Sequence, residues 1–191
     1  MEIIIIIIIS YMMGSIPFGF ILTKFFLKKD IRNIGSGNIG ATNALRTGNK
    51  SLGYGTLLLD ILKAIIPIIY IKLNYPDYIF IASLCVFIGH VFPIWLKFKG
   101  GKGVATYIGI LFSINLIYAL IFIVIWFITF LISKYSSLSS IVASFGVPTY
   151  LLIFNNENLI FFLIMFILIL YTHRENVKRL KNKEESKSKI Y

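Results

Sequence analysis

The chain has 191 residues, of which 58% are hydrophobic and only 14% are charged, and its formal net charge at pH 7 is +11. A soluble domain of this size needs far more polar surface to cover its core. This composition excludes a soluble enzyme and a disordered protein. A single cysteine also excludes a disulfide-stabilised secreted scaffold. The basic excess predicts loops that face anionic lipid headgroups or anionic substrates.

Long apolar runs along the chain predict an all-α integral membrane protein, since a spanning helix needs about 20 apolar residues. The first run is interpreted as a retained span rather than a cleaved signal, because no basic residue precedes Lys24. The length predicts one polytopic membrane domain, 1–191, that ends in a basic tail, 174–191. The runs are Ile3–Leu22, Leu52–Ile71, Tyr78–Leu96, Val104–Ser133, Leu138–Phe154 and Leu159–Tyr171.

The run Val104–Ser133 is long for one spanning helix and short for two. Lys and Arg residues next to spans stay on the cytoplasmic side. If this run crosses twice, with a turn near Ser113–Asn115, every basic residue except Lys63 and Lys72 lies on that side. We therefore predict seven transmembrane helices, with the N-terminus outside and the C-terminus cytoplasmic. The fourth helix is then short, roughly 10–13 residues, and must be buried by protein or lie in a thinned region.

The first polar segment, from Ile31 to Gly48, is rich in glycine, with three glycines in the six residues 35–40. Glycine allows a tight bend and a close approach of the backbone to a ligand. Its neutral side chains offer hydrogen-bond donors, and Arg46 offers a planar fork that suits a phosphate. The alternative is a flexible loop with helix caps. The candidate donors are Ser36, Asn38, Thr42, Asn43 and Arg46.

The second polar segment, Gly89–Thr106, contains a glycine-lysine loop that opens a helix. Backbone N–H groups, the helix N-terminus and lysine charge all favour an anion there. The loop lacks the spacing of a Walker motif, so nucleotide binding is not implied. A turn that merely obeys the positive-inside rule is the alternative, and His90 alone is ambiguous. The candidate anion-binding residues are Lys97, Lys99, Gly100, Gly101, Lys102 and Gly103.

The third polar segment follows the last run and places His173 and Asn176 three residues apart, on one helical face. On charge alone, such a segment is most often a solvated basic tail. Asp60 and Lys63 are also three residues apart, within a predicted span, where buried charges must pair or serve a site. A structural ion pair and a pair that supports a site are both open.

The remaining chemistry of the sequence narrows the function. One cysteine and two histidines in different segments form no metal set, so no metal or cofactor is predicted. Aromatic residues lie in the apolar runs rather than among the basic loops, so no nucleic-acid partner is predicted. The residues predict a membrane protein that handles a phosphorylated substrate beside the lipid. The first hypothesis is a lipid-pathway transferase, and the alternative is an organic-anion or phosphate transporter, which would normally show internal repeats.

These motifs resemble those of the bacterial glycerol-3-phosphate acyltransferase family that uses acyl phosphate (PlsY), over nearly the whole chain. Two positions depart from the family pattern: Ala64 and Lys183 stand where the family usually has glycine. The matching segments are Gly14–Gly19, Ser36–Arg46, Leu59–Lys63, Gly89–Thr106 and His173–Glu185.

The resemblance implies transfer of a fatty acyl group from acyl phosphate to the 1-hydroxyl of sn-glycerol 3-phosphate. The products are 1-acylglycerol 3-phosphate (lysophosphatidate) and phosphate, at the start of phospholipid synthesis. It implies seven spans in the plasma (inner) membrane of a bacterium, with the active site on the cytoplasmic face. It implies no cofactor, and a supply of acyl phosphate from an enzyme that forms it.

The resemblance also implies roles for individual residues. His173 and Asn176 would be catalytic and would orient the hydroxyl and the carbonyl. The residues implied for glycerol 3-phosphate are Ser36, Asn38, Thr42, Asn43, Arg46 and Lys102. Those implied for acyl phosphate are Lys97, Lys99, Gly100, Gly101 and Gly103.

Overall fold

The structure, a computed structural model, describes residues 1–154 and 158–187, and the regular secondary structure in these ranges is helical. Glu157, in the connection between the last two apolar runs, and Lys189, in the predicted basic tail, lie outside the described residues. The α-helices are α1 Glu2–Gly14, α2 Phe18–Leu27, α3 Ala41–Leu45, α4 Lys50–Asn74, α5 Ile79–Val91, α6 Val104–Ile114, α7 Leu116–Ser133, α8 Ser136–Phe154, α9 Leu159–Thr172 and α10 Arg174–Lys181. Short 3-10 turns occupy Ile31–Asn33, Pro76–Tyr78 and Ile94–Leu96.

The chain divides into two compact units, Met1–Ile114 and Asn115–Tyr191. In the first unit, α1 packs on α5, α4 packs on α6, and the short α3 lies on α4. In the second unit, α8 packs between α7 and α9, and α10 contacts both α8 and α9. The predicted single domain over 1–191 is not tested by this division and stays a prediction.

Apolar surface and helix length together confirm an all-helical membrane protein. Within the described ranges, four segments are long and apolar enough to cross a membrane, and the pair α9 and α10, bent by 60°, would make a fifth. Large apolar side chains are exposed on these helices, for example Ile132 at 81% and Ile160 at 76%, as expected of surface that faces lipid. The four segments are Glu2–Leu27, Pro76–Leu96, Leu116–Ser133 and Ser136–Phe154.

The first predicted span is broken in the structure. Helix α1 ends at Gly14 and α2 begins at Phe18, so the run Ile3–Leu22 forms two helices. Pro17 at the break has no N–H to donate to the carbonyl four residues earlier, so α1 does not continue through it. The carbonyl of Ile16 accepts a hydrogen bond from the Lys63 ammonium at 2.7 Å. The break therefore provides an acceptor for a charge buried in α4.

The run Val104–Ser133 divides as predicted. Asn115 adopts an extended backbone conformation between α6 and α7, and its side chain caps α7 by accepting from the N–H of Ile117 at 2.8 Å. Helix α6 has 11 residues, within the predicted length. Its last carbonyls, those of Ser113 and Ile114, accept from the Lys72 ammonium at 2.9 and 3.0 Å. The short helix is thus capped at its C-terminal end by a lysine of α4.

Small residues bring the helices of the first unit into close contact. A Cβ on Gly14 would lie 2.7 Å from the Cα of Val86, and a Cβ on Gly89 would lie 2.8 Å from the backbone N of Ser15. Helices α1 and α5 therefore touch through their backbones, as small residues permit in membrane proteins. Ala64, where the family usually has glycine, is accommodated because Gly109 faces it on α6, where a Cβ would lie 3.0 Å away.

Candidate active site

The first glycine-rich segment is organised around one buried amide, that of Asn43, which is 2% exposed. Its Oδ1 accepts from the N–H of Ser36 at 2.9 Å. Its Nδ2 donates to three backbone carbonyls, those of Ile31 at 3.2 Å, Ile34 at 2.8 Å and Asn38 at 2.8 Å. The amide forms all these hydrogen bonds with backbone groups of its own segment. Asn43 therefore stabilises the conformation of this loop.

The loop leaves its other candidate ligands at the surface. Ser36, Thr42 and Arg46 are exposed. Gly35 has a φ of 54°, a left-handed conformation that favours glycine. A Cβ at that position would lie 2.8 Å from the Cδ of Arg46. The arginine side chain therefore passes over Gly35, beside Ser36, and both predicted phosphate ligands lie on one loop.

Asn38 and Asp30 support the loop at its two ends. The Oδ1 of Asn38 accepts from the N–H of Gly40 at 2.8 Å, immediately before α3. Asp30 caps the 3-10 turn by accepting from the N–H of Arg32 at 2.9 Å and pairs with the Arg32 guanidinium at 2.7 Å. This hydrogen-bonded ion pair lowers the pKa of the Asp30 carboxyl. The half-buried Asn38 is thus a structural member of the loop as well as a candidate ligand.

The two phosphate-directed segments of the first unit meet through apolar side chains. One buried cluster contains residues from the first segment and Leu96, which precedes the glycine-lysine loop. Phe20 of α2 packs against the same cluster. Burial of these side chains fixes the two segments to each other. The buried members are Ile31, Ile39, Ala44 and Leu96.

The glycine-lysine loop, defined as residues 97–103, has a strained backbone. Lys97 and Phe98 have positive φ angles of 53° and 61°, and Gly103 has 84°. Positive φ is costly for residues with a Cβ, so the surrounding structure must hold this turn in place. Lys97 and Lys99 are exposed, and Lys102 is half-buried. The lysines thus stand where a soluble anion can reach them.

The backbone of this loop is only partly available to an anion. The N–H of Gly100 donates to the carbonyl of Val91 at 3.0 Å, and the N–H of Gly101 donates to the carbonyl of His90 at 3.1 Å. These two amides, both predicted to bind acyl phosphate, instead join the loop to the end of α5. The first intrahelical bond of α6 is from Tyr107 to Gly103, so the helix N-terminal amides before Tyr107 are the groups suited to an anion.

Asp60, Lys63 and His90 form a buried charge cluster beneath the loop, and each is at most 3% exposed. The Nζ of Lys63 lies 2.7 Å from the Oδ1 of Asp60 and 2.9 Å from the Nδ1 of His90. The sequence left open whether Asp60 and Lys63 form a structural pair or support a site. The structure adds His90, 27 residues further along the chain than Lys63, to that pair.

In the second unit, His173 lies at the bend between α9 and α10 and is 2% exposed. Its Nδ1 is 2.8 Å from the carbonyl oxygen of Ile169. Because a carbonyl only accepts, this contact assigns the proton of the neutral ring to Nδ1 and the lone pair to Nε2. In this tautomer Nε2 has the lone pair that a general base needs.

Asn176 is held by a carboxylate that the sequence reasoning gave no role. Its Nδ2 donates to Glu185 at 2.7 Å, and Glu185 also accepts from Ser137 at 2.7 Å and from Arg179 at 2.7 Å. Partial burial raises the pKa of the Glu185 carboxyl, but these hydrogen bonds outweigh it and hold the pKa below its ordinary value. Within the described part of the chain, no group donates to the buried Oδ1 of Asn176.

The turn before Glu185 also explains one departure from the family pattern. Lys183 has a φ of 61°, the left-handed conformation that glycine adopts most easily. The turn is closed by hydrogen bonds from Lys183 to Leu180 and from Glu184 to Arg179. The lysine therefore keeps the turn that glycine would make, and Glu185 reaches Asn176.

The described residues contain no group of three or more His, Cys, Asp or Glu side chains that could hold a metal ion.

Residues 4–183 match the family model described as glycerol-3-phosphate acyltransferase. The chain belongs to this family.

Curated relatives carry the same name. A glycerol-3-phosphate acyltransferase of Pelagibacter ubique is 75% identical over the full length of both chains. One from Bradyrhizobium diazoefficiens is 50% identical over 94% of this chain and 92% of the relative. The chain is an acyltransferase by this membership.

Solved structures give the same fold. A crystal structure of PlsY (YgiH), described as an integral membrane glycerol 3-phosphate acyltransferase in its glycerol 3-phosphate form, matches with a TM-score of 0.89. It is 34% identical and covers 98% of this chain and 96% of its own. The form described as that of lysophosphatidic acid matches with a TM-score of 0.88.

The family motifs therefore coincide with the polar segments, but the residues that hold them in place were mostly missed. Asn43 and His90 were noticed without their partners, and Glu185 was seen only as part of a motif. The signal that could have found Glu185 is its position directly after a turn that the family builds with glycine. No comparable local signal joins His90 to Lys63.

Proposed function

We propose that this protein transfers a fatty acyl group from acyl phosphate to the 1-hydroxyl of sn-glycerol 3-phosphate. The products are lysophosphatidate and inorganic phosphate. The observation that carries this proposal is the match, over 98% of the chain, to PlsY structures described as the glycerol 3-phosphate and lysophosphatidic acid forms. These two molecules are the acceptor and the product of the proposed reaction.

The acceptor is held by the first loop and by one lysine of the second. Ser36 and Arg46 bind its phosphate, with Lys102 as a second cation, because arginine and lysine form charge-assisted hydrogen bonds to phosphate. Asn38 and Asn43 act through the shape of the loop, and Thr42 is an exposed donor on α3. The contacts between Asn43 and the backbone support this preorganisation, which lowers the entropic cost of binding.

The donor is bound by the glycine-lysine loop. Lys97 and Lys99 contact the acyl phosphate, and the amides at the start of α6, next to Gly103, face the leaving phosphate. Gly100 and Gly101 allow the loop to lie against α5 and do not donate to the ligand. Charge that develops on the leaving phosphate is stabilised by these fixed donors.

The reaction is a direct displacement at the acyl carbonyl. The 1-hydroxyl oxygen forms a bond to the carbonyl carbon, and the bond from that carbon to the phosphate oxygen breaks. The Nε2 of His173 takes the hydroxyl proton, and the acceptor's own phosphate is the alternative base. Asn176, whose amide is held by Glu185, orients the acyl carbonyl beside it. Phosphate leaves readily, so no protein nucleophile is required, and positioning supplies most of the rate enhancement.

The topology completes the proposal. Seven spans, with the N-terminus outside and the C-terminus cytoplasmic, place nearly all basic residues on the cytoplasmic face of a bacterial inner membrane. The observed break at Asn115 supports two helices in place of the run Val104–Ser133. The acyl chain then remains in contact with lipid, and an enzyme that forms acyl phosphate supplies the donor.

The test compares two acyl donors. Purified protein in lipid or detergent is given glycerol 3-phosphate with palmitoyl phosphate, and in parallel with palmitoyl-CoA, in the absence of metal. We expect lysophosphatidate only with palmitoyl phosphate. Folded protein that is inactive with both donors would overturn the proposal, and anion uptake into vesicles would then test the transporter alternative.

A further inference from the structure

The buried charge cluster, Asp60, Lys63 and His90, joins segments that are far apart in the sequence. The Lys63 ammonium lies within 2.9 Å of three groups: it pairs with the carboxylate of Asp60, donates to the carbonyl of Ile16 and contacts the Nδ1 of His90. One cation therefore connects the break between α1 and α2, the middle of α4 and the end of α5.

This arrangement assigns the state of the histidine ring. An ammonium has only donors, so the Nδ1 of His90 must accept, and the proton of the ring lies on Nε2. The cluster thus contains one carboxylate, one ammonium and one neutral imidazole. Lys63 holds the ring at Nδ1. The opposite edge, which carries Nε2, is left for a different contact.

The opposite edge of the ring lies against the glycine-lysine loop. A Cβ on Gly101 would overlap with the Nε2 of His90 and would lie 2.8 Å from its Cε1. The carbonyl of His90 also accepts from the N–H of Gly101 at 3.1 Å. Both the side chain and the backbone of His90 therefore contact the residue next to Lys102.

We propose that the buried charge cluster positions the glycine-lysine loop for phosphate binding, with His90 as the element that touches the loop. The proposal rests on the proposed function of that loop. Buried charges are expensive in a membrane, and an apolar replacement of a buried pair is often as stable, so stability alone does not account for these residues. Their contacts end at Gly101, next to a candidate phosphate ligand, and the Lys63 ammonium is used on Asp60, His90 and the carbonyl of Ile16 rather than on substrate. They are positioning residues.

The first experiment removes the cluster's charges together. The double variant Asp60→Asn with Lys63→Met avoids leaving a lone buried carboxylate. The matched control is Lys72→Met, which removes another hydrogen-bonded lysine of the same helix, at the opposite end of α6 from the loop. We measure KM for both substrates, kcat, the Tm in detergent, and the rate of tryptic cleavage after Lys97 and Lys99.

We expect the KM values for glycerol 3-phosphate and for acyl phosphate to rise about tenfold or more in the double variant, with kcat within about threefold, since small displacements of binding groups are costly. Cleavage after Lys97 and Lys99 should become faster. Lys72→Met should leave both KM values and these cleavage rates near those of the wild type. A folded double variant with wild-type KM values and unchanged cleavage would overturn the proposal.

A second pair of variants tests the contact even if the double variant does not fold. His90→Asn keeps an acceptor near the position of Nδ1 but removes the ring edge that faces Gly101, and Gly101→Ala crowds the same contact. If both act through one contact, their combined effect on KM is smaller than the product of the single effects. Independent, multiplicative effects would contradict the proposal. If the wild type shows no transfer at all, the proposed function fails, while the cleavage rates still decide whether the cluster positions the loop.

Discussion

Asn43 and Glu185 have comparable tasks in different units of the molecule. Each gathers several hydrogen bonds and so fixes a loop that carries candidate site residues. Asn43 is neutral, and its partners are backbone groups of its own segment. Glu185 is charged, and its partners are the side chains of Ser137, Asn176 and Arg179.

The difference concerns how each loop responds to its surroundings. A neutral amide bound to backbone carbonyls does not titrate, so the first loop should keep its shape over a wide pH range. A carboxylate that accepts from an arginine, an amide and a hydroxyl depends on its charge. The same task is thus performed by one group that is insensitive to pH and one that is sensitive to it.

The largest expected effect on activity is at Arg46, on the loop that Asn43 supports. Arg46→Ala should lower kcat/KM for glycerol 3-phosphate by a factor that corresponds to a loss of about 2–3 kcal/mol, the cost of a charged hydrogen bond. The control is Arg32→Ala in the same segment, whose exposed pair with Asp30 should be worth less than about 1 kcal/mol. Equal activity of Arg46→Ala and the wild type would show that Arg46 does not bind the acceptor.

Two isosteric substitutions break the comparison directly. Asn43→Asp removes a donor from three carbonyls and places a charge beside them, so unfolding should become easier by about 1–3 kcal/mol for each group left unsatisfied. Glu185→Gln keeps one acceptor oxygen and loses the charge and the acceptor at the other oxygen, which is fewer groups than Asn43→Asp affects, so its cost at pH 7 should be smaller. Thermal unfolding of both variants in one detergent checks the order. A larger loss for Glu185→Gln would contradict the account.

Acid should weaken the second unit selectively. The folded-state pKa of Glu185 is below its ordinary value of 4.5. Its contribution to stability is therefore present above about pH 4.5 and is lost as the pH falls through the lowered pKa. The Tm of the wild type should fall over this range more steeply than that of Glu185→Gln, with the exposed Glu184→Gln as the control. If the Tm of all three proteins fell with pH in parallel, Glu185 would be excluded as the group that makes the second unit sensitive to acid.

The smallest expected effect is a gain in stability from a substitution in the turn before Glu185. Lys183→Gly removes a left-handed lysine, and the relief should exceed the entropy cost of glycine, which leaves a net stabilisation of about 0.5 kcal/mol. Lys178→Gly, within α10, is the control and should destabilise by about 0.5–1 kcal/mol. Equal losses for both variants would show that the turn does not restrain the lysine.

Much of the fold and of the candidate site follows from local patterns. The apolar runs predicted the membrane helices, and basic-residue counting predicted the break at Asn115. The glycine-rich pattern predicted a phosphate-directed loop that carries Ser36 and Arg46, whose side chains the structure leaves exposed on that loop. These features depend on residues that are close together in the sequence.

Features that depend on distant partners could not be predicted. The apolar run Ile3–Leu22 predicted a span but not the break within it, since a proline within an apolar run does not reveal whether a helix bends or ends. The amides of Gly100 and Gly101 were predicted to bind a ligand. Their observed acceptors are the carbonyls of Val91 and His90, and the sequence does not show that these groups lie close to the loop. The contact between Lys63 and His90 likewise has no local signature.

One measurement tests the central claim most directly. Lysophosphatidate formation and phosphate release are followed in the same reaction, with palmitoyl phosphate as donor and with glycerol 3-phosphate present or absent. The account predicts equal amounts of both products, and no phosphate above the protein-free rate when the acceptor is absent. Phosphate release without acceptor, or release that exceeds lysophosphatidate, would contradict transfer to glycerol 3-phosphate as the reaction of this site.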